Sequence, residues 1–195
     1  MPIDLPPGQW SALLVGHQWP GQATLSLLAA AADSREAVHR EHDGYADMLR
    51  AVRDEHLGMQ EGATADAARE LFRRGEQVSR AIAARNTAKR RAYQTASEAV
   101  GSLREDLGSI AAEGNAAIDR VIESGGSAAA QQTSIAAIVA EAQRRSDAAA
   151  AFRCADVIGL INDVLGAEPE GESAQAFASR HGADLQRIHG DITRP

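Results

Sequence analysis

The sequence predicts an all-α fold, an elongated antiparallel bundle of long helices. Three observations carry that expectation. Apolar residues recur at heptad spacing over long stretches, and no proline lies between Pro20 and Pro169. Hydrophobic residues make up 44% of the chain but aromatics only 4%. A core of Ala, Leu, Val and Ile suits close helix-on-helix packing better than a thick sandwich or barrel. No apolar/polar alternation of the kind a half-buried strand needs persists beyond a few residues.

The elements follow in order. Residues 1–21 form a leader that holds four of the six prolines: Pro2, Pro6, Pro7 and Pro20. Gln9 to Val15 can form a short helix between Pro6-Pro7-Gly8 and Gly16. From Gln22 to about Leu57 the pattern is helical, with Val38, His42, Tyr45, Leu49, Val52 and His56 spaced as a heptad seam. Gly58 to Gly62 breaks it, and Thr64 is placed to cap the next helix, followed by Asp66 and Glu70. That helix carries a second seam: Ala96, Val100, Leu103, Leu107, Ile110, Gly114, Ala117 and Val121. Gly101, Gly108 and Gly114 each weaken it, so a break is expected near one of them. Ser124-Gly125-Gly126-Ser127 is a turn. A last long helix, about 128–165, has Ile135, Ile138, Ala142, Ala149, Phe152, Val157, Leu160 and Val164 on its apolar face. The expected organisation is a leader (1–21), a bundle (22–166) and a linker with tail (167–195).

Composition narrows the function. A net charge of −7 argues against wholesale nucleic-acid binding. The single cysteine, Cys154, excludes an internal disulfide and a cysteine-based zinc site. No basic stretch leads into an apolar one as in a classical signal peptide, and charges interrupt the longest apolar runs, so no membrane span is expected.

Local motifs are sparse. His39-Arg40-Glu41-His42-Asp43 is the best candidate metal cluster, because His42 and Asp43 each lie about one helical turn from His39. It lacks a second ligand group and the His-Glu-x-x-His spacing of zinc proteases, so a charged helix face is the favoured reading and no metal or cofactor is expected. From Arg69 to Arg91 eight Arg/Lys face two Glu. Spread around a helix with almost no aromatics, they read as a solvated face complementing acidic neighbours in 113–123 or 141–172 rather than a nucleic-acid or lipid surface. Cys154, in an apolar stretch, reads as a small buried hydrophobe. None of the motifs G-x-S-x-G, G-x-x-x-x-G-K-[ST] and G-x-G-x-x-G occurs, and no catalytic role is expected.

The leader carries a family resemblance. Leu5-Pro6-Pro7, the turn at Pro20-Gly21 and the Ala/Leu-rich run from Leu25 to Ala32 resemble the opening of mycobacterial PPE proteins. Gln60-Glu61-Gly62, with Ala63, Ala65, Ala67 and Ala68, resembles the Trp-x-Gly turn and helix start of PPE and related type VII secretion substrates, with Gln where Trp stands. Trp19-Pro20-Gly21 matches Trp-x-Gly literally but stands too early, at the entry to the first long helix. Trp10 and Trp19 instead read as anchors that pin the leader to the bundle. The Tyr-x-x-x-[DE] secretion signal is missing, since Leu49 follows Tyr45 and Ser97 follows Tyr93 at that spacing. In the resembled system that signal often sits on the partner chain.

The resemblance implies a type VII secretion substrate, or the N-terminal targeting domain of one. It would dock a small helical-hairpin partner of the PE or Trp-x-Gly type, meet the membrane export machinery and reach the cell surface or medium by a non-classical route. A toxin or other effector domain would follow the linker. The partner is expected near the inter-helix turn Gln60, Glu61 and Gly62, on Met59, Leu71 and Phe72. Val38, Tyr45, Leu49 and Val52 are expected to hold the hairpin itself. The alternative is a self-assembling structural or pore-forming helical bundle, a homo-oligomer with possible membrane contact.

Overall fold

The computed structural model describes residues 4–166 and 173–182. The described chain is all-α: α1 (Ser11–Val15), α2 (Gln22–Ala51) running into a π-helical turn (Val52–His56), α3 (Ala63–Glu123), α4 (Ala128–Gly166) and α5 (Ala174–Arg180). Long helices pack against one another as a bundle, with no strand among the described residues. Two compact units emerge. One joins the leader, through Leu27, to the chain from Thr95 onward, and the other is Leu28–Gln94. Of the expected linker and tail (167–195), residues 167–172 and 183–195 lie outside the described residues.

The unit that contains the leader is built around a side chain and the absence of one. Helix α1 turns Ser11, Leu14 and Val15 inward, and Leu14 and Val15 are fully buried. They join Leu107, Ile110, Ala111 and Ile118 of α3 and Ala142 of α4 in a single core. A Cβ on Gly114 would lie 2.8 Å from Leu14 Cδ1, so the bare glycine is the notch that admits Leu14. This also accounts for a departure from expectation. Helix α3 runs unbroken past Gly101, Gly108 and Gly114. At Gly114, packing by Leu14 supplies what helix propensity withholds.

Polar contacts fasten the leader around that plug. Asn115 Oδ1 accepts the Trp10 backbone N–H at 2.9 Å, while its Nδ2 donates to Ser11 Oγ at 3.1 Å and Ala111 O at 2.7 Å. Gly8 sits over the same amide with φ 131°, where a Cβ would fall 2.4 Å from Asn115 Nδ2. The left-handed turn and the close approach both call for glycine. At the other end Asp4 accepts from the Gln22 N–H that opens α2 and from Arg104 Nη1, each at 2.9 Å. The Arg104 hydrogen bond holds the Asp4 carboxyl below its ordinary value. Arg104 also donates to Pro20 O at 2.6 Å and lies 4.5 Å over the Trp19 ring. Asp147 of α4 receives His17 Nε2 and Gln18 Nε2, at 2.9 and 2.8 Å.

Some expectations for this unit shift. Helix α1 begins at Ser11 rather than Gln9. Phe152, placed on the apolar face of α4 by periodicity, is 63% exposed, whereas Ser146 on the same helix is fully buried. Ser146 Oγ donates to Ala142 O at 2.8 Å, so its hydroxyl is satisfied inside its own helix.

Candidate functional site

The second unit, Leu28–Gln94, is a helical hairpin from parts of α2 and α3. Its interior is thin and polar. The buried residues are Ala32, Ala46 and Leu49 on α2 and Ala65, Ser79, Ala83 and Asn86 on α3, so Leu49 is the one large apolar side chain among them. Helix α3 comes close at Gly75, where a Cβ would lie 3.1 Å from Leu49 Cδ1.

These positions fix the register. On α2 the inward line runs Ala32, His39, His42, Ala46 and Leu49 and continues to Arg53 in the π-helical turn, and on α3 it runs Ala65, Phe72, Glu76, Ser79, Ala83, Asn86, Arg90. The expected seam through Val38, Tyr45 and Val52 is therefore rotated by one residue: His39, Ala46 and Arg53 face inward, and Tyr45 is 50% exposed. Period alone could not separate the two, since both lines keep 3-4 spacing and share His42 and Leu49. The choice falls to hydrogen-bond chemistry. Ser79 Oγ donates its single proton to His42 O at 2.9 Å and so accepts from His42 Nδ1 at 3.1 Å. Thr87 Oγ1 donates to Ala83 O at 3.2 Å and takes His39 Nδ1–H at 3.1 Å. Asp43 binds Arg80 at 2.5 Å. The three residues of the candidate metal cluster thus each hold an internal partner, and no group of three metal-ligating side chains occurs among the described residues.

The two flanks of the hairpin differ. One is laced by ion pairs of Arg80 with Asp43 and with Asp47 (2.5 and 2.6 Å), while along the inward lines Arg53 pairs with Glu76 (2.6 Å) and Arg90 reaches Glu36. Arg80 holds the Asp47 carboxyl below its ordinary value, and Arg40, with Arg90, does the same for Glu36. For these arginines the acidic partners lie on the hairpin itself rather than in 113–123 or 141–172.

The other flank is apolar. In an antiparallel pair, positions on the same side of both seams face the same way. The ion pairs put Asp43 and Arg80 on one side, which leaves Val38, Tyr45 and Met48 of α2 and Val52 of the π-helical turn beside Leu71, Gly75, Val78 and Ile82 of α3 on the other. Tyr45, Met48, Leu71 and Val78 are 50, 52, 69 and 60% exposed. A cluster of large apolar side chains left in water marks an interaction surface more often than scattered single ones do. Of these exposed side chains, sequence reasoning singles out Leu71 but not Met48 or Val78. The signal was available as a second apolar line one position off the seam.

The turn lies at the end of this flank. Gly62 adopts φ 104°, and its carbonyl accepts the Asp66 N–H at 3.0 Å. Gly62 thus stands at the helix entry, and Thr64, expected to cap, lies inside α3. Arg69 Nη1 donates to Leu57 O at 2.6 Å and Gln60 O at 2.7 Å, tying both sides of the turn to the first coils of α3. Glu61 and Met59 are exposed, Met59 at 93%. Phe72 is half-buried on the inward line. Trp10 and Trp19 are half-buried against the Leu14 core in the other unit. Cys154, expected to be buried, is only half-buried, and that partial burial pushes its thiol up. No helix among the described residues is long and apolar enough to cross a membrane.

Comparison with known proteins adds one relative. The chain is 30% identical over 182 residues to the uncharacterized protein Rv2082 of Mycobacterium tuberculosis (strain ATCC 25618 / H37Rv), a match that covers 93% of this chain. The chain spans about a quarter of that relative's length, 25%. No protein-family model matches the chain. No solved structure matches it either.

Proposed function

We propose that the chain is a type VII secretion substrate, or the export-targeting domain of one, that works by docking a small helical-hairpin partner and not by catalysis. The observation that carries this reading is the one-sided hairpin of Leu28–Gln94. Its ion pairs satisfy one flank internally, and the other exposes Tyr45, Met48, Leu71 and Val78. A second amphipathic hairpin laid on that flank completes a four-helix bundle and removes those side chains from water. The Pro6-Pro7 leader and the Gln60-Glu61-Gly62 turn support the family. So does a relative in Mycobacterium tuberculosis, in which the matching region is a quarter of a longer protein. On this reading the protein is made in the cytoplasm, recognised with its partner by the membrane export machinery and delivered outside.

The test is co-expression with a small helical-hairpin protein of the PE or Trp-x-Gly type. Burying one large apolar side chain is worth about 1.5–3 kcal/mol, and ~1.4 kcal/mol is tenfold in affinity. Leu71→Asp with Val78→Asp is therefore expected to weaken the complex by about two orders of magnitude with helicity unchanged. Undiminished co-purification of the double variant would remove this flank from the interface. Phe72→Asp serves as the contrast: on the inward line, it is expected to cost helicity as well as binding.

A further inference from the structure

We infer that, until the hairpin partner arrives, the chain covers the same flank with a second copy of itself, α2 of each copy lying on α3 of the other. The inference rests on the proposed reading of this flank as a docking surface. The charges bordering the flank argue for it. Glu41 of α2 and Glu55 of the π-helical turn, both exposed, stand about two turns either side of Met48. On α3 the exposed Arg74 and Arg85 bracket Val78. One rim is acidic and the other basic, so the flank is complementary to itself. Arg74 already shares Glu70 within its helix, at 2.8 Å, and Arg85 also has a partner, so their part is to set orientation by sign rather than to add new salt bridges.

Two face-to-face arrangements of a closed pair are possible. A two-fold axis parallel to the hairpin puts α2 on the second copy's α3, acid against base. An axis across the hairpin puts α2 on α2, Glu41 and Glu55 against carboxylates of their own kind. The rim signs select the first. That operation preserves height along the hairpin. The Asp43–Arg80 pair sets Tyr45 level with Val78, so Tyr45 of one copy meets Val78 of the other. The same apolar side chains are then shielded in the self-pair and in the partner complex. The two states exclude each other, and partner binding must displace the second copy.

The experiment uses the full chain. Light scattering coupled to size exclusion over a dilution series is expected to give twice the 20.6 kDa chain mass, with Val78→Asp raising the dissociation constant at least tenfold. Leu71→Glu is the second variant should Val78→Asp lose its circular dichroism. Orientation is read in a Cys154→Ala background by mixing a Tyr45→Cys chain with a differently tagged Val78→Cys chain. A mixed disulfide supports the arrangement, and a Tyr45→Cys self-disulfide overturns it. A chain that is monomeric throughout yet still binds the hairpin partner overturns self-pairing and leaves the docking reading intact. A dimer indifferent to both flank variants overturns the inference by placing self-contact on another face.

Discussion

Leu14 and Gly114 form a close fit at the centre of the leader's core. Leu14 is fully buried, and the notch that receives it exists because residue 114 has no side chain. Leu14→Ala is expected to lose about 2–5 kcal/mol in urea unfolding, from lost transfer energy plus the cavity left behind. Gly114→Ala is expected to cost about 1–3 kcal/mol, because its methyl must displace Leu14 or push the helix away. Combined, the two should cost less than their sum, since the methyl then enters the space the leucine has left. Additive losses would show that the notch does not act as one. Trp10 and Trp19 rim the same core, half-buried. Their emission is expected blue-shifted in the native state, and water-like emission from both would remove the leader from the core.

At the scale of the element, the hairpin and the leader are held by different physics. The leader is a hydrophobic plug with polar clamps. The hairpin has Leu49 and a ladder of small residues, histidines and ion pairs. Glu36 and Asp47, whose carboxyls are depressed by arginines, join α2 to α3. Glu70, held to about 2 by Arg73 and Arg74, acts within α3. A depressed carboxyl contributes stability above its unfolded pKa, and that contribution is lost as pH falls through the folded value. The hairpin is therefore expected to lose stability below about pH 4, the ordinary carboxylate range. Added salt at neutral pH should weaken it in the same direction. A melting temperature flat from pH 7 to pH 3 would show these pairs to be incidental. Arg69→Ala addresses the turn. With the Leu57 and Gln60 carbonyls released, faster amide exchange is expected at residues 57–62, with α4 unaffected.

At the scale of the whole molecule, two units with unlike interiors share the chain. Both tryptophans belong to the unit with the leader, so fluorescence reports that unit alone while circular dichroism reports every helix. On acidification, ellipticity is expected to fall before tryptophan emission shifts, because the ion-paired hairpin yields before the Leu14 core. Coincident transitions would mean that the units unfold as one.

The sequence by itself determined the helices, their order and the turns between them. Heptad spacing, the proline-free span from Gly21 to Glu168 and the glycine clusters at 58–62 and 124–127 are local signals, and each acts through a neighbouring backbone. It also marked the leader, the Gln60-Glu61-Gly62 turn and Leu71. What it left open was rotation about each helix axis. Val38–Tyr45–Val52 and His39–Ala46–Arg53 have the same period one residue apart, and composition favours the first. Only the tertiary structure turned the apolar line outward, because the inward groups are satisfied across the pair by Ser79, Thr87 and Glu76. Likewise Gly114 reads as a weak point in a helix until Leu14, a hundred residues earlier in the chain, is seen to occupy it. Local periodicity sets which residues can share a face; partners distant in sequence decide which face is buried.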